Sequence, residues 1–347
     1  MLRLVRRGLL AFVFVGMLTC FGSSALAAEP ASESALQPPL DTERVREAVL
    51  RALPIIRQAG DNYPKNRKCF SCHHQTLPML AMRDAKRHGL EVSAEFIPAQ
   101  MDFTARSFVD KHDRLRGGTG IGGQAMTVAY GLWTYELADA KPSETSEAMV
   151  AYLLKTQRED GSWGFQTDRP PMEASRHTST VLAAYGMDRY QAETQRELVK
   201  KAIDKSRSWL DRAEVKQQED RAMRLWGLKR LGAGEESLAV ARKVVLDAQR
   251  PDGSWAQLDS MVGDAYATGQ TLWILKECGF ATSEAAYQRG ATFLLKTQHA
   301  DGSWLVETRS RPVQAMFDNG DPHGKHQFIS TPATCWATAA LTAILPK

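Results

Sequence analysis

The chain has 347 residues, with 44 Lys plus Arg against 40 Asp plus Glu, a net charge of +4 and 43% hydrophobic residues. A charge so near balance gives no field for nucleic acid, and five cysteines spread over this length do not make a disulfide scaffold. The length suits one large domain or two small ones.

Residues 1–27 begin with Arg3, Arg6 and Arg7, continue in an apolar run from Leu9 to Leu18 and end in Ala25-Leu26-Ala27. This order predicts a cleavable signal peptide, cut near Ala27, and a periplasmic or otherwise exported protein. The run is too short for a membrane anchor, so no transmembrane segment is expected in the mature chain. Residues 28–40, rich in Ala, Ser, Glu and Pro, read as a flexible leader. Of the cysteines beyond the signal, Cys278 and Cys335 sit among apolar residues and read as buried, inert thiols.

From residue 41 onward the chain alternates between charged and apolar amphipathic segments. The charged ones are predicted at 41–58, 95–113, 143–157, 194–211, 235–249 and 283–298, and the apolar ones at 75–88, 124–138, 174–188, 219–231, 264–277 and 331–344. Three of the junctions read Q-x-x-D-G-S-W: Gln157 to Trp163, Gln249 to Trp255 and Gln298 to Trp304. The first two copies stand 92 residues apart and the last two 49, which fits a period of roughly 46 residues with one degenerate unit. Asp-Gly supplies turn chemistry, the glutamine is placed to satisfy open backbone groups, and the tryptophan covers the junction. Six polar outer helices and six apolar inner ones predict an all-α (α/α)6 toroid over residues 41–347, as one domain. One interval breaks the period, at an insertion of about residues 306–330 that carries Arg309, Arg311, Asp318, Asn319, Asp321, His323 and His326.

The Q-x-x-D-G-S-W motif resembles the QW repeat of squalene-hopene cyclases, oxidosqualene cyclases and protein prenyltransferase β subunits. That resemblance implies the α/α toroid and, as one function, an enzyme acting on a prenyl, terpenoid or other elongated substrate in the central cavity. The D-x-D-D acid motif of the hopene cyclases has no counterpart here. Asp264-Ala265-Tyr266 has tyrosine where the prenyltransferase zinc site needs a thiolate. Asp264 and Asp321 remain the candidate catalytic acids, Asp264 with helix capping as its competing role.

The first unit carries no D-G-S-W turn and reads Cys69-Phe70-Ser71-Cys72-His73-His74-Gln75 instead. Cys69-x-x-Cys72-His73 is the attachment pattern of c-type haem, in which two thiols anchor the macrocycle and the adjacent histidine ligates iron. The leading expectation is therefore covalent haem c on Cys69, Cys72 and His73, with a redox, electron-transfer or ligand-sensing role and a redox partner or small-molecule ligand. A disulfide, a redox dithiol, a zinc site and a non-catalytic scaffold braced by the two cysteines stay open beside it. For a sixth iron ligand the candidates are His177, His323 and His326, while Met79 and Met82 read as core. Glu173, His177 and Asp220 stand at inner-helix starts, where they either face the cavity or cap. Gly118 to Gly123 matches G-x-G-x-x-G by letter but follows a helix, so it is read as a turn and not as a dinucleotide site.

Overall fold

The computed structural model describes residues 40–347. The expected signal peptide and nearly all of the leader lie outside the described residues. Among those described there is no strand, and thirteen α-helices form two concentric rings.

The inner ring is α2 (Leu77–Arg87), α5 (Gln124–Leu137), α7 (Arg176–Tyr190), α9 (Gln218–Arg230), α11 (Ala265–Glu277) and α13 (Gln327–Thr342). Each packs on the next in chain order, and α13 returns to pack on α2. Around them stand α1 (Thr42–Asn66), α3 (Phe96–Val109) with the short α4 (His112–Gly117), α6 (Glu144–Thr156), α8 (Arg196–Arg212), α10 (Glu235–Asp247) and α12 (Ala285–Thr297). The chain is an (α/α)6 toroid, as its period predicts.

The three repeated turns are built alike, and each feature follows from a residue type. Gly161, Gly253 and Gly302 take φ of 94°, 89° and 95°, the left-handed region that reverses the chain after a helix. Asp160, Asp252 and Asp301 each accept from the serine two residues on, through both its N–H and its hydroxyl. The tryptophans are buried and donate Nε1–H to the carbonyls of Leu153, Val245 and Leu294, so their polar atoms are satisfied inside the core. Gln157, Gln249 and Gln298 donate to the glycine carbonyl of their own turn and to a carbonyl of the next outer helix, Ala202, Ala286 and Ala48. The last of these, Gln298 Nε2 to Ala48 O at 2.8 Å, joins the sixth unit to the first and closes the ring.

One end of the inner ring is plugged. Trp133, Trp226, Trp273 and Trp336 come from four inner helices at a similar depth, and Trp133 lies 5.3 Å from Trp226 and 6.1 Å from each of the other two, centroid to centroid. Any open space must therefore lie at the opposite end, where the inner helices begin.

Several boundaries differ from the sequence expectation. Helix α1 runs on to Asn66 and not to residue 58, continuing through Pro54 and Pro64. The second outer segment breaks at Asp110 into α3 and α4. Helix α13 starts at Gln327, so the insertion ends four residues earlier than expected. Regular helix α2 starts at Leu77, because residues Cys72–Thr76 form a π-helical turn ahead of it.

Candidate functional site

The π-helical turn sets the site. Ser71 carries its opening: its carbonyl accepts from the N–H groups of His74 and Gln75, and its N–H donates to Gln75 Oε1. The wider turn sends successive side chains in different directions, and such turns recur at functional sites. His74 stacks on the Tyr63 ring of α1 at 4.7 Å and accepts at Nε2 from Asn319 of the final insertion. His73 points elsewhere, with Nε2 at 3.3 Å from Glu173 Oε1 in the connection between α6 and α7. The Cys72 thiol donates to the same Glu173 oxygen, also at 3.3 Å.

Cys72, His73 and Glu173 thus converge, with their ligand atoms all within 4.8 Å of one another and all three side chains largely shielded from solvent. Arg169 holds the second carboxylate oxygen at 3.2 Å. Burial opposes ionisation of Glu173, but its hydrogen bond to His73, with the charges of His73 and Arg169, wins and brings its pKa down to about 2. Burial first and the Glu173 charge second push the Cys72 thiol well up, so it is a neutral donor here. Cys69 is exposed, 3.5 Å from the Tyr63 hydroxyl, and neither cysteine is in a disulfide.

Cys69, Cys72, His73 and Glu173 line a mouth cavity of about 820 Å³ at the starts of the inner helices. Part of the lining is apolar and aromatic, from Phe70, Phe108, Ile121, Met126, Phe317 and Phe328. Arg67, Lys111, Arg169 and Arg311 bring four cations to the same cavity against the two acids Asp168 and Glu173. Of these cations only Arg169 forms a carboxylate pair within 4.0 Å among the described residues. The glycine-rich turn contributes Gly122 and Gly123 to the lining.

The other candidates are elsewhere. His177 does not face the cavity: its ring lies 4.7 Å from Trp209 of the outer helix α8, and Nδ1 is 3.3 Å from Asp220. His323 bonds Ser303 through Nε2 at 2.8 Å, and His326 Nδ1 accepts from the Thr308 N–H, so both bind the insertion to its own framework. None of the three faces His73. Asp264 is the N-cap of α11, accepting from Ala267 N at 2.9 Å, and Asp321 accepts from the His323 N–H and the Thr331 hydroxyl. Burial pushes both carboxyls up to about 6, but neither lines the mouth cavity. Met79 and Met82 are core residues.

Covalent haem asks for a flat opening in front of His73 Nε2, with the two sulfurs reaching outward to its edge. The cavity has room and the right three residues line it, but Glu173 occupies the position facing Nε2. As arranged, the site does not fit haem, and Glu173 would have to leave. The sequence singled out Glu173 only as a residue at a helix start. Tyr63, Arg67, Lys111 and Arg169 carried no signal beyond the Arg169–Glu173 spacing of four.

Neither a protein-family model nor a curated protein sequence matches the chain. Solved structures do. The type II terpene cyclase MstE from Scytonema, in complex with geranylgeranyl dihydroxybenzoate, superposes with a TM-score of 0.55 at 15% identity, over 87% of this chain and 98% of that one. A glycosidase in complex with glucose gives 0.55 at 13%, over 88% and 100%. A protein from Actinoplanes gives 0.55 at 13%, over 86% and 99%. At these identities the likeness establishes the α/α toroid fold alone. No described helix is long and apolar enough to cross a membrane.

Proposed function

We propose that this chain is an exported toroid enzyme that takes an elongated, largely apolar substrate with an anionic end into its mouth cavity. The observation that carries the reading is the cavity's mixed lining, in which aromatic rings and four cations surround Cys72, His73 and Glu173 and two of the cations lie over the rings, Arg67 on Phe317 at 4.7 Å and Lys111 on Phe108 at 5.7 Å. Apolar walls bind by area, while a few placed charges orient. The cyclase with the same fold binds a geranylgeranyl chain on an acidic aromatic head, a ligand that combines the apolar and anionic parts this lining would take. Acid-initiated cyclisation needs a neutral carboxyl facing the substrate, and the raised carboxyls Asp264 and Asp321 do not line the cavity. The groups that meet a substrate are Cys72, His73 and Glu173, so the chemistry is assigned to them.

Equilibrium binding of geranylgeranyl diphosphate and of neutral geranylgeraniol tests the reading. The diphosphate should bind saturably and at least tenfold more tightly than the alcohol. Lys111→Gln with Arg311→Gln should erase that difference, and absence of saturable binding by either ligand would overturn the reading.

A second reading retains covalent haem c on Cys69, Cys72 and His73. It is favoured by one observation: both thiols are unpaired and share the cavity with His73. It requires Glu173 to swing away from Nε2. A pyridine haemochrome spectrum of protein made in a host with c-type maturation decides it, and N-terminal sequencing of the same material tests cleavage near Ala27.

A further inference from the structure

We infer that Cys72, His73 and Glu173 form a mononuclear zinc site with one open coordination position facing the mouth cavity. The inference rests on the geometry of these three residues and goes beyond the substrate reading, which it does not require.

The ligand set is a sulfur, an imidazole nitrogen and a carboxylate oxygen, the three donor types zinc takes. Two of their separations are close to those of ligands around one small ion. With Zn–N of about 2.0 Å, Zn–O of about 2.1 Å and Zn–S of about 2.3 Å at tetrahedral angles, N···O is about 3.3 Å and S···O about 3.6 Å. The observed separations are 3.3 Å for His73 Nε2 to Glu173 Oε1 and 3.3 Å for Cys72 Sγ to the same oxygen. Both are near those values, and all three donor atoms lie within 4.8 Å of one another.

Charge points the same way. On binding, the Cys72 S–H bond and the His73 Nε2–H bond that faces Glu173 break, Zn–S and Zn–N bonds form in their place, and both protons leave to solvent. The product holds one thiolate, one carboxylate, a neutral imidazole and Zn²⁺, with no net charge to bury. Arg169, on the far carboxylate oxygen at 3.2 Å, fixes the orientation of Glu173 as an outer-shell partner does.

Three protein ligands leave a fourth position, and the three residues line the cavity of about 820 Å³, so that position is reachable by water or substrate. Cys69 is outside the converging group and bonds Tyr63. The site is therefore of the open kind that polarises a bound oxygen or activates water, and not a closed structural cage.

The full exported chain, purified without chelator and dialysed, should contain close to one zinc per chain by plasma mass spectrometry. Replacement of zinc by Co²⁺ should give a sulfur-to-cobalt charge-transfer band in the near ultraviolet, together with intense visible bands of a tetrahedral ion. Cys72→Ser should abolish the charge-transfer band, and Glu173→Gln should weaken metal affinity at least tenfold, while Cys69→Ser, His177→Ala and His323→Ala should leave stoichiometry and band unchanged. Circular dichroism confirms that each variant is folded; if Cys72→Ser is not, the cobalt band of the unmodified chain against that of Cys69→Ser carries the test. Sub-stoichiometric zinc with no cobalt band, a band lost in Cys69→Ser, or a covalent haemochrome would each overturn the inference. Loss of zinc with retained geranylgeranyl diphosphate binding would sink this inference and leave the substrate reading standing.

Discussion

Asn319 donates to His74 Nε2 at 2.8 Å across 245 residues of sequence, tying the final insertion to the turn that carries Cys72 and His73. Burial, with the neighbouring His73 charge, lowers the His74 pKa well below its usual value, so the ring is neutral and Nε2 is free to accept. Removing Asn319 leaves that buried nitrogen without its donor. Asn319→Ala should cost on the order of 1–3 kcal/mol. It should also raise hydrogen exchange in residues 306–326 more than elsewhere, whereas uniform loss of protection would show that the bond does not anchor the insertion.

Two glycines with similar backbone angles separate strain from collision. Gly302 (φ 95°) faces Arg51 of α1, where an added Cβ would meet the carbonyl oxygen at 2.2 Å, while Gly279 (φ 85°) has nothing within 4 Å. Both alanine variants pay for the left-handed backbone, and only Gly302→Ala must also push α1 away. Gly279→Ala should destabilise by about 1 kcal/mol and Gly302→Ala by more than twice that, read from urea midpoints. Equal losses would mean that the turn is not held against α1.

Glu219 is fully buried among Thr178 and Tyr266, and burial pushes its carboxyl up to about 7 despite those hydrogen bonds. Its pKa is raised above the usual carboxyl value, so between about pH 4.5 and 7 the folded chain binds the proton more tightly than the unfolded one. The contribution of this group to stability therefore falls as pH rises through that window and is constant above it. The loss is on the order of 3 kcal/mol. Glu219→Gln should remove it, so the variant's melting temperature relative to the parent should climb from pH 5 to pH 8; a difference independent of pH would contradict the assignment.

Trp133 touches three other tryptophans at the closed end of the ring. Trp133→Ala should cost about 3–5 kcal/mol through the cavity it leaves. Val262 is 80% exposed, and Val262→Ala should stay within about 0.5 kcal/mol by the same urea titration. A small loss at Trp133 would mean that the plug is not part of the cooperative core.

The Q-x-x-D-G-S-W turns were legible because everything they do is local or repeated. A glycine takes positive φ, an aspartate reaches two residues on, and a tryptophan finds a carbonyl ten residues back. Period and polarity then gave six helix pairs, and all six are present. The π-helical turn was not legible, because it depends on how Ser71 and Gln75 bond within packed surroundings. The three histidines singled out beside His73 failed for one reason. Placement at an inner-helix start or in a mouth loop does not say which way a side chain points, and Trp209, Ser303 and Thr308 take His177, His323 and His326 away from the cavity.

By itself the sequence determined the ring, since helical period, turn chemistry and apolar faces are properties of short stretches of chain. It also marked Cys69-x-x-Cys72-His73 as the place where the repeated turn is missing. Only the tertiary structure decided what those residues face. Closure of the ring seats the residue 164–175 connection over the first turn and places Glu173 at 3.3 Å from both Cys72 and His73, 100 residues away in sequence from His73. That distance depends on packing of the whole toroid, and no local signal encodes it.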